Sequence, residues 1–433
     1  MSARRLDHAS RTHFLCDTVD KPCRVVVIGA GASGLIAAAR AAECGAKVLV
    51  LERGNRTARK LRIAGKGRAN ITNTAPLHEF IKAFGENGKF LYGVFSRFFI
   101  NDLIALFERL GVRTKVERGG RVFPESDDAD DIANALERWA RELGAEIRLK
   151  TRVKGVELSE DNTRVVGVKT HKEILPADAV IIAAGGITYP KTGSTGDGYR
   201  IAAELGHRII KPRPALTAMT AAEDWVTRLQ GLGLKNVEAK LLSDQKLLGK
   251  EFGEMLFTHF GVSGPIILTL SRRAADIVGQ TKLELSVDLK PALSPEKLKE
   301  RFIRDFTGTK SFKNYLPELL PRKLIPVFIE LVGIPSNLPI NRITAAQRRT
   351  IISTLKDLRI TITGLRPADE AIVTAGGVCI REINPKTMES KLIKGLYFSG
   401  EVIDIDAITG GYNLQAAFST GWIAGESAAD ADN

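Results

Sequence analysis

Three glycines and one acid near the start of the chain are spaced to hold an anionic ligand. The glycines belong to Gly29-Ala30-Gly31-Ala32-Ser33-Gly34, a G-x-G-x-x-G array. Gly29 would permit a tight turn, Gly31 would let the backbone approach a pyrophosphate, and Gly34 would let a helix pack closely on the preceding strand. Glu52 follows 21 positions after Gly31, where a carboxylate accepts ribose hydroxyls and disfavours a 2′-phosphate. A second set lies near the other end of the chain, Gly400-Glu401 and then Gly410-Gly411-Tyr412-Asn413-Leu414. Two further groups have proton chemistry to offer. His259 is one of six histidines, and Tyr189 precedes a run of hydroxyl-bearing and glycine residues, Thr192 to Gly198.

The elements that must position these groups are legible around them. Arg24 to Ile28 is a β-branched run, and the glycine array leads straight into Leu35-Ile36-Ala37-Ala38-Ala39-Arg40, giving strand, turn and helix. Phosphates would rest on the N-terminus of that helix, where N–H groups and the dipole favour anions. The helix stops at Gly45, and a strand over Lys47 to Leu51 delivers Glu52. A helix over Asp130 to Gly144 precedes alternating stretches, Ile147 to Leu158 and Val165 to Thr170, which read as a small meander of strands. The apolar strand from Asp178 to Ala184 then runs into Gly185 and Gly186.

The fingerprint by itself does not separate nicotinamide from flavin dinucleotides; the order of the later motifs along the chain does. Fingerprint, meander, apolar strand ending in glycines, and a late strand–Gly400–Glu401 motif are together similar to the glutathione-reductase-like FAD domain. Glu401 would hold the ribityl chain, and the helix opened by Gly410 and Gly411 would aim its positive end at the flavin N1/O2 edge. The array occurs once, so a separate nicotinamide domain is missing, and NAD(P)H, if used, must dock directly over the flavin.

With 433 residues, 44% hydrophobic and 26% charged, the chain is long enough for two or three domains with a sizeable core. Four segments are expected: a flexible extension over 1–23, the first part of the FAD domain over 24–210, an insert over 211–365, and the second part of the FAD domain over 366–433. In the insert the dinucleotide logic disappears. Short strands are expected near Glu238 to Leu242 and Lys282 to Leu289, and helices near Glu296 to Phe306, Pro317 to Val332 and Thr344 to Leu355. No apolar run approaches the roughly 20 residues of a membrane span, and the first 23 residues lack a secretory signal pattern. Cys16, Cys23, Cys44 and Cys379 form no C-x-x-C pair and no metal cluster, which argues against a dithiol centre and a bound metal and suits a reducing cytoplasm. The net charge of +13 is scattered, with only three Trp and six Tyr to stack on bases, so a nucleic-acid partner is not expected.

Beyond the fingerprint, the chain carries Arg59-Lys60-Leu61, Gly65-Lys66-Gly67-Arg68-Ala69-Asn70-Ile71-Thr72-Asn73, and Tyr189-Pro190-Lys191-Thr192-Gly193-Ser194-Thr195-Gly196-Asp197-Gly198-Tyr199. It also carries Leu256 to Pro265, Thr374-Ala375-Gly376-Gly377-Val378, Pro385 to Ser390 and Gly400 to Phe418. In this order the motifs resemble the HI0933-like (YhiN- or BaiN-like) flavoproteins, NAD(P)/FAD-dependent oxidoreductases, over nearly the whole chain after residue 23. The resemblance implies an α/β fold: a Rossmann-type FAD domain, discontinuous in sequence, with an inserted domain that has a small β-barrel-like part and a helical part. The family usually has three consecutive glycines and a cysteine where this chain reads Gly65-Lys66-Gly67-Arg68-Ala69; Lys66 and Ala69 depart from it.

The FAD contacts expected are Gly29, Ala30, Gly31, Ala32, Ser33, Gly34, Glu52, Arg53, Lys60, Leu61, Gly67, Arg68, Asn70, Val153, Ala184, Gly185, Gly400, Glu401, Gly411, Tyr412, Asn413 and Leu414. Arg59 and Lys60 are read as phosphate or ribose partners, Arg68 and Asn70 as flavin contacts, and Asp197 as a helix cap. His259 and Tyr189 are the candidates for proton transfer. In the His259 segment Ser263 is read as the cap of a helix with Pro265 in its first turn. The expected function is hydride transfer between flavin N5 and a small organic substrate, with NAD(P)H as reductant. The rivals are an amine oxidase using oxygen, a fumarate-reductase-like dehydrogenase, which would need an arginine acid not found here, and a non-catalytic flavin-binding module with a basic surface.

Overall fold

The computed structural model describes residues 22–275 and 277–430. Most of the expected N-terminal extension, including Cys16, lies outside these residues. The nucleus is a five-stranded parallel sheet in the order Leu396–Phe398, Ala179–Ile182, Arg24–Ile28, Lys47–Leu51, Glu146–Arg148. Its central strand is covered on both faces, Val25 and Val27 being buried on one and Val26 and Ile28 on the other, which is why Arg24–Ile28 reads as a continuous apolar run instead of an alternating one.

The fingerprint helix, Ala32–Glu43, packs against the last helix, Tyr412–Ala429. The two backbones touch through glycines: a Cβ at Gly421 would lie 2.4 Å from Ser33 O, and one at Gly425 would lie 2.3 Å from Ala37 O. The C-terminal helix is thus seated on the helix Ala32–Glu43 by glycines on its inner face.

The sequence reading of Ile147 to Leu158 as one arm of a meander is corrected. Glu146–Arg148 pairs in parallel with Lys47–Leu51 and completes the main sheet, while the meander is Val153–Leu158, Val165–Thr170 and Ile174–Pro176. A short register of three residues hides the change of sheet, because both pieces have the same alternation. A hairpin, Thr114–Glu117 with Arg121–Pro124, pairs with Thr72–Asn73 and had no sequence signal strong enough to be read.

The insert is a closed six-stranded barrel, ordered Met219–Ala221, Gly261–Ser263, Lys246–Phe257, Gly233–Ser243, Leu283–Asp288 and Leu358–Leu365, capped by helices that share its apolar core. Helices Pro295–Asp305 and Ala345–Lys356 fall where the periodicity puts them, the second capped by Thr344, whose Oγ1 accepts from Gln347 N at 3.2 Å. Pro317 to Val332 is not one helix. Short turns precede Ile325–Val332, since Pro321 has no N–H to continue a helix and biases the residue before it away from helical geometry. An antiparallel ribbon, Ile209–Ala215 with Val373–Val378, carries the chain into and out of the barrel. The barrel helix Pro265–Ala274 is anchored to the parallel-sheet unit by Arg272, which donates to Asp406 Oδ2 at 2.7 Å and Asp406 O at 2.9 Å.

No single helix among the described residues is long and apolar enough to cross a membrane. No described group of three His, Cys, Asp or Glu side chains could hold a metal ion.

Candidate functional site

A cleft of about 1150 Å³ runs between the parallel-sheet unit and the barrel. That lies just above the roughly 300–1,000 Å³ of common small-ligand pockets, in keeping with a ligand of dinucleotide size.

The fingerprint glycines stand in three different surroundings. Gly29 has φ +104°, and a Cβ there would sit 2.6 Å from Ala183 O. Gly31 faces open space, with nothing within 4 Å of where a Cβ would stand, so its missing side chain leaves room for a ligand instead of for protein. Gly34 is where the helix meets the turn, a Cβ there lying 1.9 Å from Gly29 O; it packs behind the cleft and does not line it. Glu52 is held pointing at the turn, Oε2 accepting from Ala30 N at 2.9 Å and Oε1 from Gly54 N at 2.6 Å.

Two helix N-termini open into this cleft, those of Ala32–Glu43 and Tyr412–Ala429. Neither has a side-chain cap or an acid in its first turn, so orphan N–H groups at both ends are left for a ligand. Beside the second, Asn70 Oδ1 is a buried acceptor with no hydrogen-bond partner among the described residues. A hypothetical Cβ at Gly411 would stand 2.9 Å from that oxygen and 2.2 Å from Thr72 O. An uncapped positive helix end next to an orphaned acceptor fits a group that carries both negative charge and N–H or O–H donors, as a flavin does.

Of the other expected contacts, Ala30, Ala32, Ser33, Arg53, Leu61, Val153, Ala184, Gly185, Gly400, Tyr412, Asn413 and Leu414 line the cleft; Gly67 does not. Asn413 fixes the approach to its helix, accepting from Ala407 N at 2.8 Å and donating to Ala407 O at 3.1 Å. Arg53 bonds Thr195 and, at 3.1 Å, Asp197. Asp197 is in the first turn of Asp197–Glu204, whose cap is Gly196; burial would raise its carboxyl pKa, but Arg152, with Arg53 and Arg200, outweighs this and holds it below the usual range. It is an ion-pair partner, and the cap reading is corrected. Arg68 lies 4.1 Å over the Phe123 ring and is bonded by Glu117 and Asp127. Lys60 bonds Glu401 and Thr188, so the lysine and the acid expected to serve the ligand separately form one group.

The proton-transfer candidates separate. Tyr189 lines the cleft, half-buried, and burial followed by the charge of Glu370 pushes its phenol above its ordinary pKa. His259 is exposed and outside the cleft, its ring 4.8 Å from that of Phe260, which does line it. The Ser263 cap is also corrected: Gly261–Ser263 is a barrel strand and the helix is capped by Gly264 at φ +97°.

The wall facing the dinucleotide side was not found from sequence. It includes Leu216, Ala218, Phe252, Phe260, Ile266 and Ile372, with Glu254 and Glu370 as its charges. Its residues come from barrel strands and linkers far apart in the chain, and each looks like ordinary core or loop. Asn73, which its residue type alone did not single out, donates to Gly119 O and to Gly410 O, both at 3.0 Å, and thereby ties the hairpin tip to the C-terminal helix.

The HI0933-like protein Rossmann domain matches residues 23–427. The chain is 34% identical to a 3-dehydro-bile acid delta(4,6)-reductase of Clostridium scindens, over 94% of this chain and 99% of that one. It is 32% identical to a ribosomal RNA dihydrouridine synthase of Haemophilus influenzae, over 92% of this chain and 96% of that one. Among solved structures, the 3-ketosteroid-delta4-(5alpha)-dehydrogenase of Rhodococcus jostii superposes with a TM-score of 0.50 at 16% identity, over 95% of this chain and 98% of that one. The E. coli quinol fumarate reductase FrdA gives 0.51 at 15% identity, over 94% and 70%. These two likenesses show a shared Rossmann-type FAD-binding fold. With a family match over nearly the whole chain and the dinucleotide cleft in place, the protein belongs to the HI0933-like family of flavin-dependent oxidoreductases.

Proposed function

We propose that the protein is an FAD-dependent reductase that saturates an activated carbon–carbon double bond, with NADH or NADPH as the hydride source. The observation that carries this reading is the two-sided cleft: a glycine-rich wall with two uncapped helix ends for the cofactor, and opposite it an apolar wall that would hold a planar substrate. Both relatives have names that denote reduction, one of a delta(4,6) bile acid and one giving dihydrouridine.

Bound flavin would supply hydride transfer at N5, taking two electrons from the nicotinamide and passing them on. The chain's own residues orient the reactants, exclude water and deliver a proton. Glu52 and the fingerprint turn would hold the adenosine half. Asn70 and the C-terminal helix would hold the ring. Saturation consumes one hydride and one proton, and the Tyr189 phenol, which lines the cleft, would give that proton to the neighbouring carbon. His259 has no part in this scheme.

A second reading concerns the substrate. Residues 295–356 contain 12 Lys and Arg against 5 Asp and Glu, a net +7 over the helical part of the insert. That density favours a uridine presented within RNA over a free small molecule.

The test is an absorption spectrum followed by anaerobic addition of NADH and then NADPH, and by screening of acceptors. Flavin bands that bleach with a nucleotide and return with a steroid enone or a uridine-bearing RNA support the reading and choose the substrate. Bands that persist with both nucleotides, together with oxygen uptake on adding amines, would replace it with an oxidase. Protein that cannot be loaded with FAD at all sinks it.

A further inference from the structure

Nine basic side chains line the cleft, all from the FAD-binding segments and none from the barrel. Six of them are held by acids, as Arg68 is by Glu117 and Asp127. Three have no acidic partner among the described residues: Arg59, Lys66 and Arg118. Arg59 is next to the ribose-binding acid, for a Cβ at Gly54 would meet Glu52 Oε1 at 2.9 Å and Arg59 Nη1 at 3.5 Å. It serves the adenosine end.

Lys66 and Arg118 are at the other end. Arg118 is exposed on the tip of the hairpin whose next residue, Gly119, is bonded by Asn73, and the same Asn73 amide bonds Gly410 at the start of the C-terminal helix. Lys66 is exposed in the loop that leads to Asn70 and is held at φ +62°, between Gly65 at +59° and Gly67 at +81°. Glycine takes that conformation freely and a lysine rarely does, so the charge is kept here against the local preference of the backbone. The cofactor's own pyrophosphate would be held at the fingerprint helix, whereas this pair belongs to the hairpin and loop beside the start of the C-terminal helix.

Resting on the reductant reading above, we propose that Lys66 and Arg118 form a phosphate-binding rim for the nicotinamide dinucleotide. They receive the pyrophosphate common to NADH and NADPH while the dihydronicotinamide enters over the flavin. The chain has one dinucleotide fold, occupied by FAD in this scheme, so the second dinucleotide has no glycine-rich turn to hold its two negative charges. The barrel wall offers it only Glu254 and Glu370 as charged groups. Two unpaired cations at the ring end of the cleft are what that ligand lacks elsewhere.

The experiment uses FAD-loaded wild type, Lys66→Gly, Arg118→Ser and the double variant, with flavin content and spectrum checked for each. Affinity for NADP⁺, which does not react with oxidised flavin, is measured by calorimetry at two salt concentrations. Anaerobic flavin reduction is then timed with NADPH and with 1-benzyl-1,4-dihydronicotinamide, which has the same reacting ring and no phosphate. The expected result is a loss of about tenfold in nucleotide affinity per residue removed, a shallower salt dependence, and an equal fall in the ratio of NADPH to benzyl-donor rates. Unchanged nucleotide affinity in the double variant overturns the rim alone. Equal slowing with both donors overturns it in favour of a loop that shapes the flavin, and a defect confined to reoxidation by the acceptor assigns the cations to the substrate instead. Wild type reduced by the benzyl donor but by neither nucleotide overturns the reductant reading itself.

Discussion

The Lys60 ammonium lies 2.9 and 2.7 Å from the two carboxylate oxygens of Glu401 and 2.7 Å from Thr188 Oγ1. Glu401 also accepts from Thr374 N at 2.6 Å, so one acid joins four segments at the floor of the cleft. Replacing Lys60 by Met removes the only cation bonded to that carboxylate among the described residues and leaves it partly buried. The pair is about one-quarter and one-fifth exposed, and the loss is expected to be ~1–3 kcal/mol of unfolding free energy, less than for a fully buried pair. Thermal melts of the FAD-free protein measure it directly. A melt identical to wild type would mean that Thr188 and Thr374 satisfy Glu401 unaided.

The fingerprint glycines predict two opposite phenotypes. Gly34→Ala forces a methyl group to within 1.9 Å of Gly29 O, so the FAD-free protein itself is expected to lose several kcal/mol, roughly 3 or more. Gly31→Ala has ordinary backbone angles and nothing within 4 Å, so the FAD-free protein should melt like wild type. Its methyl group projects into the phosphate space, and FAD affinity should fall about a hundredfold, roughly 2.7 kcal/mol. Paired melts and flavin titrations check both, and a Gly31→Ala protein with normal FAD affinity would exclude the pyrophosphate from that position.

Tyr189→Phe keeps the ring and removes the proton. Flavin reduction by nicotinamide should be little changed, whereas reoxidation by the acceptor should slow roughly a hundred- to ten-thousandfold, the usual worth of a positioned general acid. Stopped-flow measurement of the two half-reactions separates them. Slowing of both alike would make Tyr189 a packing residue.

A buried imidazole makes the fold sensitive to acid. The His207 side chain is fully buried, with Nδ1 3.0 Å from Glu382 Oε2 and Nε2 3.0 Å from Ser390 Oγ. Burial holds its pKa below the ordinary value, only partly countered by Glu382. The unfolded chain therefore binds this proton more readily than the folded one, and the stability contributed is present above the unfolded value of about 6.5 and is lost as pH falls below it. His207→Asn should lower the melting temperature at pH 7.5 and flatten its decline between pH 7 and 5. A parallel decline in both proteins would move the acid sensitivity elsewhere.

Much of the dinucleotide half was legible because its chemistry is local. Gly29, Gly31 and Gly34 act within a single strand–turn–helix unit, Glu52 is delivered by the next strand, and Gly410–Gly411 open the helix they precede. Spacing along the chain is then the same thing as position in space. The closing helix N-terminus of Tyr412–Ala429 and the strand Leu396–Phe398 were readable for the same reason.

What spacing could not give was set by contacts between distant residues. Glu146–Arg148 has the same alternation as the meander it was grouped with, and only its pairing with Lys47–Leu51 assigns it to the main sheet. His259 and Tyr189 both read as proton donors, but His259, in the turn between two barrel strands, is left in solvent, while Tyr189, in the loop after the sheet strand Ala179–Ile182, lines the cleft. The apolar wall of Leu216, Phe252, Phe260 and Ile372 is assembled from strands and linkers that share no periodicity. The sequence by itself determined the strand–turn–helix unit with its three glycines and the acid that follows it, since those are properties of one turn and the next strand. Tertiary structure alone decided what faces the glycine-rich wall, because that surface exists only where the two apolar cores lie side by side.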